Sequence, residues 1–191
     1  MNICIYGASS NKIKKNYIYS VETLGKELTL RGHQLIFGGG ASGLMGAVAR
    51  GVYSQGGYII GVAPSFFNVD GILFKYCSEL ILTETMRERK QIMEERADAF
   101  IMVPGGIGTF EEFFEIMTLK QLGRHNKPIA VFDMDGYYTD IFHQLNKAIE
   151  QDFMKPECSK LCQFFTDCDD MFTYLENYQP DAFDVRHLKN I

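Results

Sequence analysis

Two stretches of this chain bring together residue types that do chemistry on anionic substrates. Val103 to Glu115 reads "VPGGIGTFEEFFE" and sets three glycines and a threonine ahead of the adjacent carboxylates Glu111 and Glu112. Met86 to Arg96 reads "MRERKQIMEER", in which Arg87, Arg89, Lys90 and Arg96 are interleaved with Glu88, Glu94 and Glu95. Glycines directly after a strand let the chain turn tightly into a helix. They also leave backbone N–H groups bare at the positive helix end, where a phosphate is favoured. A carboxylate beside such a cradle can stabilise a developing cation or activate water, and an arginine can offset charge on a leaving group.

Each stretch also has a purely structural reading. Thr109-Phe110-Glu111-Glu112 forms a capping box, with Thr109 as N-cap and Glu112 reaching back to the cap's amide. Such a box needs neither three glycines nor the preceding Pro104. The alternating charges after Met86 form, by default, a solvated helix face laced with ion pairs. Lys90, however, falls on the same helical stripe as Met86 and Met93, and a cation on an apolar stripe calls for a ligand or a charge to meet. Adjacent helical side chains diverge by about 100°, so only one of Glu111 and Glu112 faces a bound molecule. The spacing leaves open which one.

A second glycine loop, Gly38 to Gly43, formally matches GxGxxG between an expected strand and helix. A dinucleotide site also wants an acid about twenty positions on, at the end of the next strand. That region reads "YIIGVAP" and has none. "PGGIGT" lacks the GK[ST] ending of a P-loop, so monophosphate chemistry fits it better than triphosphate chemistry. No lysine stands out as the Schiff-base partner that a pyridoxal phosphate enzyme requires.

The elements that must position these residues follow from periodicity. Short apolar runs, "NICIYG", "QLIFGG", "YIIGVAP", "ELILT", "DAFIMVP", "KPIAVFD" and "FFT", read as strands. Between them lie helical stripes: Tyr17, Val21, Leu24 and Leu28 before Gly32, then Leu44, Val48 and Val52 before Gly56. Further helices are expected from Glu84 to Ala97, along "EEFFEIMTLKQLG", from Tyr137 to Phe153 and from Asp170 to Asn177. The segment from Pro64 to Cys77, with Phe66, Phe67, Phe74 and Tyr76, reads as a packed aromatic loop. This order predicts an α/β class: a Rossmann-like, doubly wound, mostly parallel sheet with helices on both faces. Ligands of such sheets bind at the carboxyl ends of the strands. There this chain places "GASSN", "GGGASGLMG", "APSFF", "TETMRERK", "PGGIGTFEE" and "DMDGYY". Residues 1–178 are expected to form one domain, followed by a tail, 179–191.

Composition narrows the function classes. The chain has 191 residues, 46% hydrophobic and 23% charged, as expected of one globular domain. Its net charge of −5, with no basic run longer than Lys14-Lys15, argues against duplex nucleic acid as a partner. Cys4, Cys77, Cys158, Cys162 and Cys168 show no CxxC spacing and no nearby histidine, so reduced thiols are expected rather than a metal site. No stretch has the apolar length of a signal peptide core or a membrane span, which predicts a cytoplasmic protein.

Taken together, "GGGASGLMG", "MRERK" and "PGGIGTFEE" resemble the LONELY GUY (LOG) family, long labelled lysine decarboxylases. The PGGxGTxxE motif is matched at every fixed position, ending at Glu112, and the M-x-x-R-K element at Met86, Arg89 and Lys90. The likeness runs from about Asn2 to Tyr178. It implies hydrolysis of the N-glycosidic bond of cytokinin riboside 5′-monophosphates, giving free base and ribose 5-phosphate with neither metal nor organic cofactor. By the same resemblance Arg89 and Glu112 are the catalytic pair. Lys90, Gly105, Gly106, Ile107, Gly108, Thr109, Phe110, Glu111 and Thr118, with Gly39, Gly40 and Met86, bind the nucleotide. A homodimer with its site near the subunit interface is implied as well. One departure stands out: where many relatives carry a glutamate after the third strand, this chain reads "FFNVDGILF", with Asp70 or Gly71 at that place. A non-catalytic nucleotide or cofactor carrier on the same fold is the alternative, since fold alone does not fix function.

Overall fold

Strands in the computed structural model, which describes residues 1–180, coincide with the apolar runs. They are β1 (Asn2–Tyr6), β2 (Gln34–Phe37), β3 (Ile59–Pro64), β4 (Glu79–Thr83), β5 (Ala99–Met102), β6 (Ile129–Phe132) and β7 (Gln163–Phe165). Between and after them run α1 (Lys15–Leu30), α2 (Gly43–Ser54), α3 (Met86–Arg96), α4 (Ile107–Gln121), α5 (Thr139–Glu150) and α6 (Cys168–Glu176). Of the expected tail, residues 181–191 lie outside the described residues.

The strands form one seven-stranded sheet in the order β4-β3-β2-β1-β5-β6-β7. Every pairing is parallel, so the sheet is not mostly but wholly parallel. The inner strands β1, β2, β3, β5 and β6 are buried on both faces along most of their length, which is why they read as continuous apolar runs, whereas the edge strands β4 and β7 are partly exposed. On β1, Ile3 and Ile5 join the core under α1, α2 and α6, while Cys4 and Tyr6 join the core under α3 and α4.

The chain winds outward from β1 to β4, then crosses back to place β5 on the other side of β1. At this reversal the loops after β1 and β5 leave in opposite directions and open a crevice, the usual ligand site of a doubly wound sheet. Both halves of the chemistry noted above sit at this end. "PGGIGT" follows β5, and "TETMRERK" carries the chain from β4 into α3.

The Pro64–Cys77 loop packs through two of its four aromatic residues: Phe74 is buried and Tyr76 stacks on Tyr53 with ring centroids 4.6 Å apart, while Phe66 and Phe67 are exposed. Backbone bonds to the first glycine loop hold it as well, Ala41 N–H to Ile72 O at 2.8 Å and Phe74 N–H to Gly39 O at 2.8 Å. One expectation about local structure changes. The last helix begins at Cys168, ahead of the expected Asp170, because the Asp167 carboxylate accepts from the Asp169 and Asp170 amides at 2.8 and 3.0 Å. Among the described residues no helix is long and apolar enough to cross a membrane.

Candidate active site

The expected capping box at Thr109 and Glu112 is absent. The Pro104-Gly105-Gly106 turn is tight enough for α4 to begin at Ile107, with Gly106 as an N-cap that has no side chain to offer. Thr109 therefore lies inside the first turn, buried beneath Gly105, and Glu112 points away from its own backbone. The side chains that do cap in this way belong to α3. There the Thr85 hydroxyl accepts from Glu88 N–H at 3.1 Å, and the Glu88 carboxylate accepts from Glu84 N–H at 2.9 Å. Without a side-chain cap, the Ile107, Gly108 and Thr109 amides remain as the orphan donors of a helix start, at its positive end.

The first glycine loop behaves differently. At the start of α2, Gly43 N–H donates to the Asn11 side chain at 2.9 Å, and Leu44 and Met45 N–H both donate to Ala8 O at 2.8 and 3.2 Å. Gly43 holds φ +59°, and any Cβ there would strike the carbonyls of Ala8 and Ser10. The helix end matching GxGxxG is thus occupied by the protein itself. The open anion cradle is the one at α4.

Across from that cradle, Arg89 and Glu112 form a buried ion pair with Nη1 and Oε1 2.7 Å apart and side chains only 9% and 13% exposed. Arg89 Nε donates to Val62 O at 3.1 Å, which fixes the guanidinium against the end of β3. Here too the structure corrects the helical stripe. Arg89, one turn before Met93, is the cation turned inward, while Lys90 lies on the flank and binds the carboxylates of Glu111 and Glu115. The pairing of neighbours separates the two adjacent carboxylates: Glu112 is inward on Arg89, and Glu111, 53% exposed, is outward on Lys90. Desolvation pushes the Glu112 carboxyl above its ordinary 4.5, partly offset by the Arg89 charge.

A cavity of ≈ 440 Å³ lies over this pair, a size suited to a mononucleotide. Its lining combines polar groups, Ser9, Ser42, Gly108, Arg89 and Glu112, with the apolar side chains Phe67, Ile72, Leu73 and Met86. Of the residues expected at the site, Arg89, Glu112, Glu111, Gly108, Gly40 and Met86 line the cavity. Gly39 is buried behind Gly40, and Phe110 packs edge-on to Tyr138 with ring centroids 6.2 Å apart. Ile107 is an 84% exposed lip, and Gly105 and Gly106 open toward a different crevice. Thr118 is exposed further along α4 and does not line the cavity, although Glu111, two turns earlier, reaches its rim.

Several lining residues carried no sign of their role in the sequence. Ser9 lies in the flagged "GASSN" turn, but Leu73 enters only through its antiparallel bridge to Gly40, a pairing with no local signature. Tyr6 forms part of the floor, its ring parallel to that of Phe100 at 6.2 Å, and burial keeps its phenol protonated well above 10. At the departure in the β3–β4 loop, Gly71 lines the cavity and Asp70 does not, so that loop brings no carboxylate.

Gly38 shows how finely Arg89 is placed. A Cβ at Gly38 would occupy the space of the Arg89 Nη2 nitrogen, which is the movable tip of a side chain. Gly38→Ala is therefore expected to lose activity by about 10²-fold and to lose part of the stability that the Arg89–Glu112 pair protects, less than full removal of the arginine would cost, because the guanidinium is pushed off Glu112 yet stays nearby. Turnover and a melting curve measured together check this, and unchanged turnover would contradict it.

The fold and this site define a class: a doubly wound α/β protein that offers an open helix start to an anion and a buried arginine–carboxylate pair to whatever that anion is attached to. Comparison with known proteins makes the assignment specific. The family profile described as "Possible lysine decarboxylase" matches residues 45–175. The chain is 36% identical over 179 residues to the probable cytokinin riboside 5′-monophosphate phosphoribohydrolase LOG6 of Arabidopsis thaliana, covering 94% of this chain and 89% of that one. It is 35% identical over 183 residues to the cytokinin riboside 5′-monophosphate phosphoribohydrolase LOG7 of the same plant, covering 96% and 84%. The chain belongs to the LOG family. Among solved structures, the Moco carrier protein of Chlamydomonas reinhardtii superposes with a TM-score of 0.69 at 21% identity, covering 92% of this chain and 94% of that one. At that identity the likeness speaks for the fold alone.

Proposed function

We propose that this protein is a phosphoribohydrolase of the cytokinin-activating type. It would hydrolyse the N-glycosidic bond of adenosine 5′-monophosphate, or of its N6-substituted forms, to free base and ribose 5-phosphate. The observation that carries the reading is the buried Arg89–Glu112 pair, one helical turn beyond the orphan amides of α4. The substrate phosphate rests on the Gly108 side of that helix start, with the Ser9 and Ser42 hydroxyls beside it. The ribose then lies over Glu112, and the base extends toward Phe67, Ile72 and Met86.

Bond breaking moves the C1′–N9 electron pair onto the base and leaves positive charge on the ribose. The Glu112 carboxylate faces that charge, and a water attacking C1′ gives its proton to the carboxylate or onward to the departing base. Arg89 holds Glu112 in place and offsets negative charge on the base as it leaves. A carrier needs the glycine cradle but has no use for a desolvated ion pair beside it. The names of the relatives likewise favour the hydrolase over the carrier.

A homodimer is part of the proposal. Ile107, Met86 and Phe114 leave apolar side chains 84%, 40% and 40% exposed on the α3 and α4 surface beside the cavity, where a second copy would cover them. Thr118 lies on that outer surface and reaches a nucleotide only across such an interface. A reducing, cytoplasmic setting is proposed as well: no disulfide joins the described cysteines, and burial pushes the Cys4 and Cys162 thiols up to about 12.

The deciding experiment incubates the protein with AMP, N6-isopentenyl-AMP and the two matching nucleosides, followed by chromatography for free base. Base is expected from the nucleotides and not from the nucleosides. Equal cleavage of nucleoside and nucleotide would remove the phosphate role from α4, and no cleavage of any of the four would return the carrier reading.

A further inference from the structure

Where the turn after β1 meets the start of α2, one hydroxyl is left without a structural duty. Ser42 holds the N-cap position of α2 on extended backbone, φ −107° and ψ 165°, yet its side chain caps nothing. A serine there ordinarily accepts from the second or third amide of the helix. In this chain those amides, Leu44 and Met45, already donate to Ala8 O at 2.8 and 3.2 Å. The Ser42 side chain is thereby released from the helix, and the residue lines the Arg89–Glu112 cavity.

Asn11 decides how that hydroxyl points. Its Oδ1 accepts from Gly43 N–H at 2.9 Å, which fixes the amide, since a backbone N–H cannot bond to the Nδ2 end. The Nδ2 group is then turned toward Ser42 and donates to its Oγ at 3.2 Å. An oxygen that accepts from Asn11 keeps its own proton to donate, and no described residue takes that proton. Asparagine suits the place because one short planar group carries both an acceptor and a donor. Aspartate would bring two acceptors and draw the serine proton toward itself.

We propose that Asn11 is a positioning residue: it bonds to Gly43 and Ser42, and through Ser42 it presents a hydrogen-bond donor to the substrate phosphate. The inference rests on the phosphate placement in the proposed function and adds the side chain that prepares it. Ser42 and Gly108 line the same cavity, one from each glycine loop. The first loop, whose helix-start amides are spent on Asn11 and Ala8, thus serves the anion with a hydroxyl where the second serves it with amides. The phosphate carries the same charge before and during bond breaking, so this hydrogen bond acts on binding and leaves the bond-breaking step to Arg89 and Glu112.

The test compares the parent protein with Asn11→Asp, Ser42→Ala and the double variant. Asn11→Asp keeps an acceptor for Gly43 N–H and puts an acid at a helix start, so its melting temperature should stay at the parent value. Calorimetric titration with ribose 5-phosphate and steady-state turnover of AMP then read the site. Each single variant should weaken ribose 5-phosphate binding and raise KM for AMP by about tenfold, with kcat changed by less than about twofold. Both changes act on one hydrogen bond, so the double variant should match Ser42→Ala alone. The new carboxylate also brings a charge of its own. Losses that multiply to about a hundredfold in the double variant would mean direct repulsion of the phosphate and overturn the inference. So would unaltered binding in Asn11→Asp, or a fall in kcat at constant KM. Ribose 5-phosphate has no glycosidic bond, so its titration decides the role of Asn11 even in a protein that releases no base, and the two readings fail separately.

Discussion

Replacing Glu112 with glutamine is expected to cut base release by about 10²- to 10⁴-fold while the protein still folds. Glutamine keeps the volume and an oxygen that accepts from Arg89 Nη1, so the packing beneath the cavity survives. What is lost is the negative charge that faces the ribose as it becomes cationic. The matching change at Glu111 removes a half-exposed charge bound to Lys90, and for such a pair the expected effect is small. Turnover of the two variants side by side is decisive. If Glu112→Gln kept parent activity, or if Glu111→Gln were the slower enzyme, the inward and outward roles would be reversed or void.

The same carboxyl sets a pH dependence whose sign can be worked out. Burial raises its folded pKa above 4.5, so the anionic, active form appears only above that displaced value. Turnover should therefore fall as pH drops through a midpoint higher than that of an ordinary glutamate. Stability runs the opposite way. The folded state holds this proton more tightly than the unfolded chain, so the Glu112 contribution declines as pH rises from 4.5 to the displaced value. Both limbs should vanish in Glu112→Gln, which a pH–rate profile and a pH series of urea titrations will show.

How far the site could be read in advance depended on the range of the interactions that build it. The strands and their order of appearance follow from short apolar runs, buried on both faces in the middle of the sheet, and the reversal at β5 follows the rule for doubly wound sheets. The start of α4 was harder, because "TFEE" after "PGGIG" carries the letters of a capping box whether or not one forms. The outcome turned on Arg89, 23 residues earlier, which takes the Glu112 carboxylate as a charged partner where the cap would offer a neutral amide. Asn11 decided the other glycine loop in the same way, filling the start of α2 from 32 residues away. Neither effect leaves a trace in local pattern. The choice between Arg89 and Lys90 as the inward cation was a matter of one residue on a stripe, within the error of any helical wheel.

Arg89→Met is expected to produce the largest loss of stability of any single change at the site, about 3 kcal/mol at neutral pH. The reason lies in what remains. Glu112, with its side chain 13% exposed, would keep its desolvation and lose the charge that offsets it. Its pKa would climb further, and the deficit would be complete above that new value and absent below the ordinary 4.5, where the carboxyl is neutral in both folded and unfolded chains. Adding Glu112→Gln should restore most of the lost stability at neutral pH, because no lone charge is left to bury, yet restore none of the activity. Urea titrations of the parent, both single variants and the double variant at neutral and acidic pH measure this coupling directly. Additive losses would mean that the two side chains are independent and that the pair is not the unit on which the site is built. A rescued fold with no turnover would mean that the ion pair is retained at a cost to stability because the reaction needs a carboxylate held there.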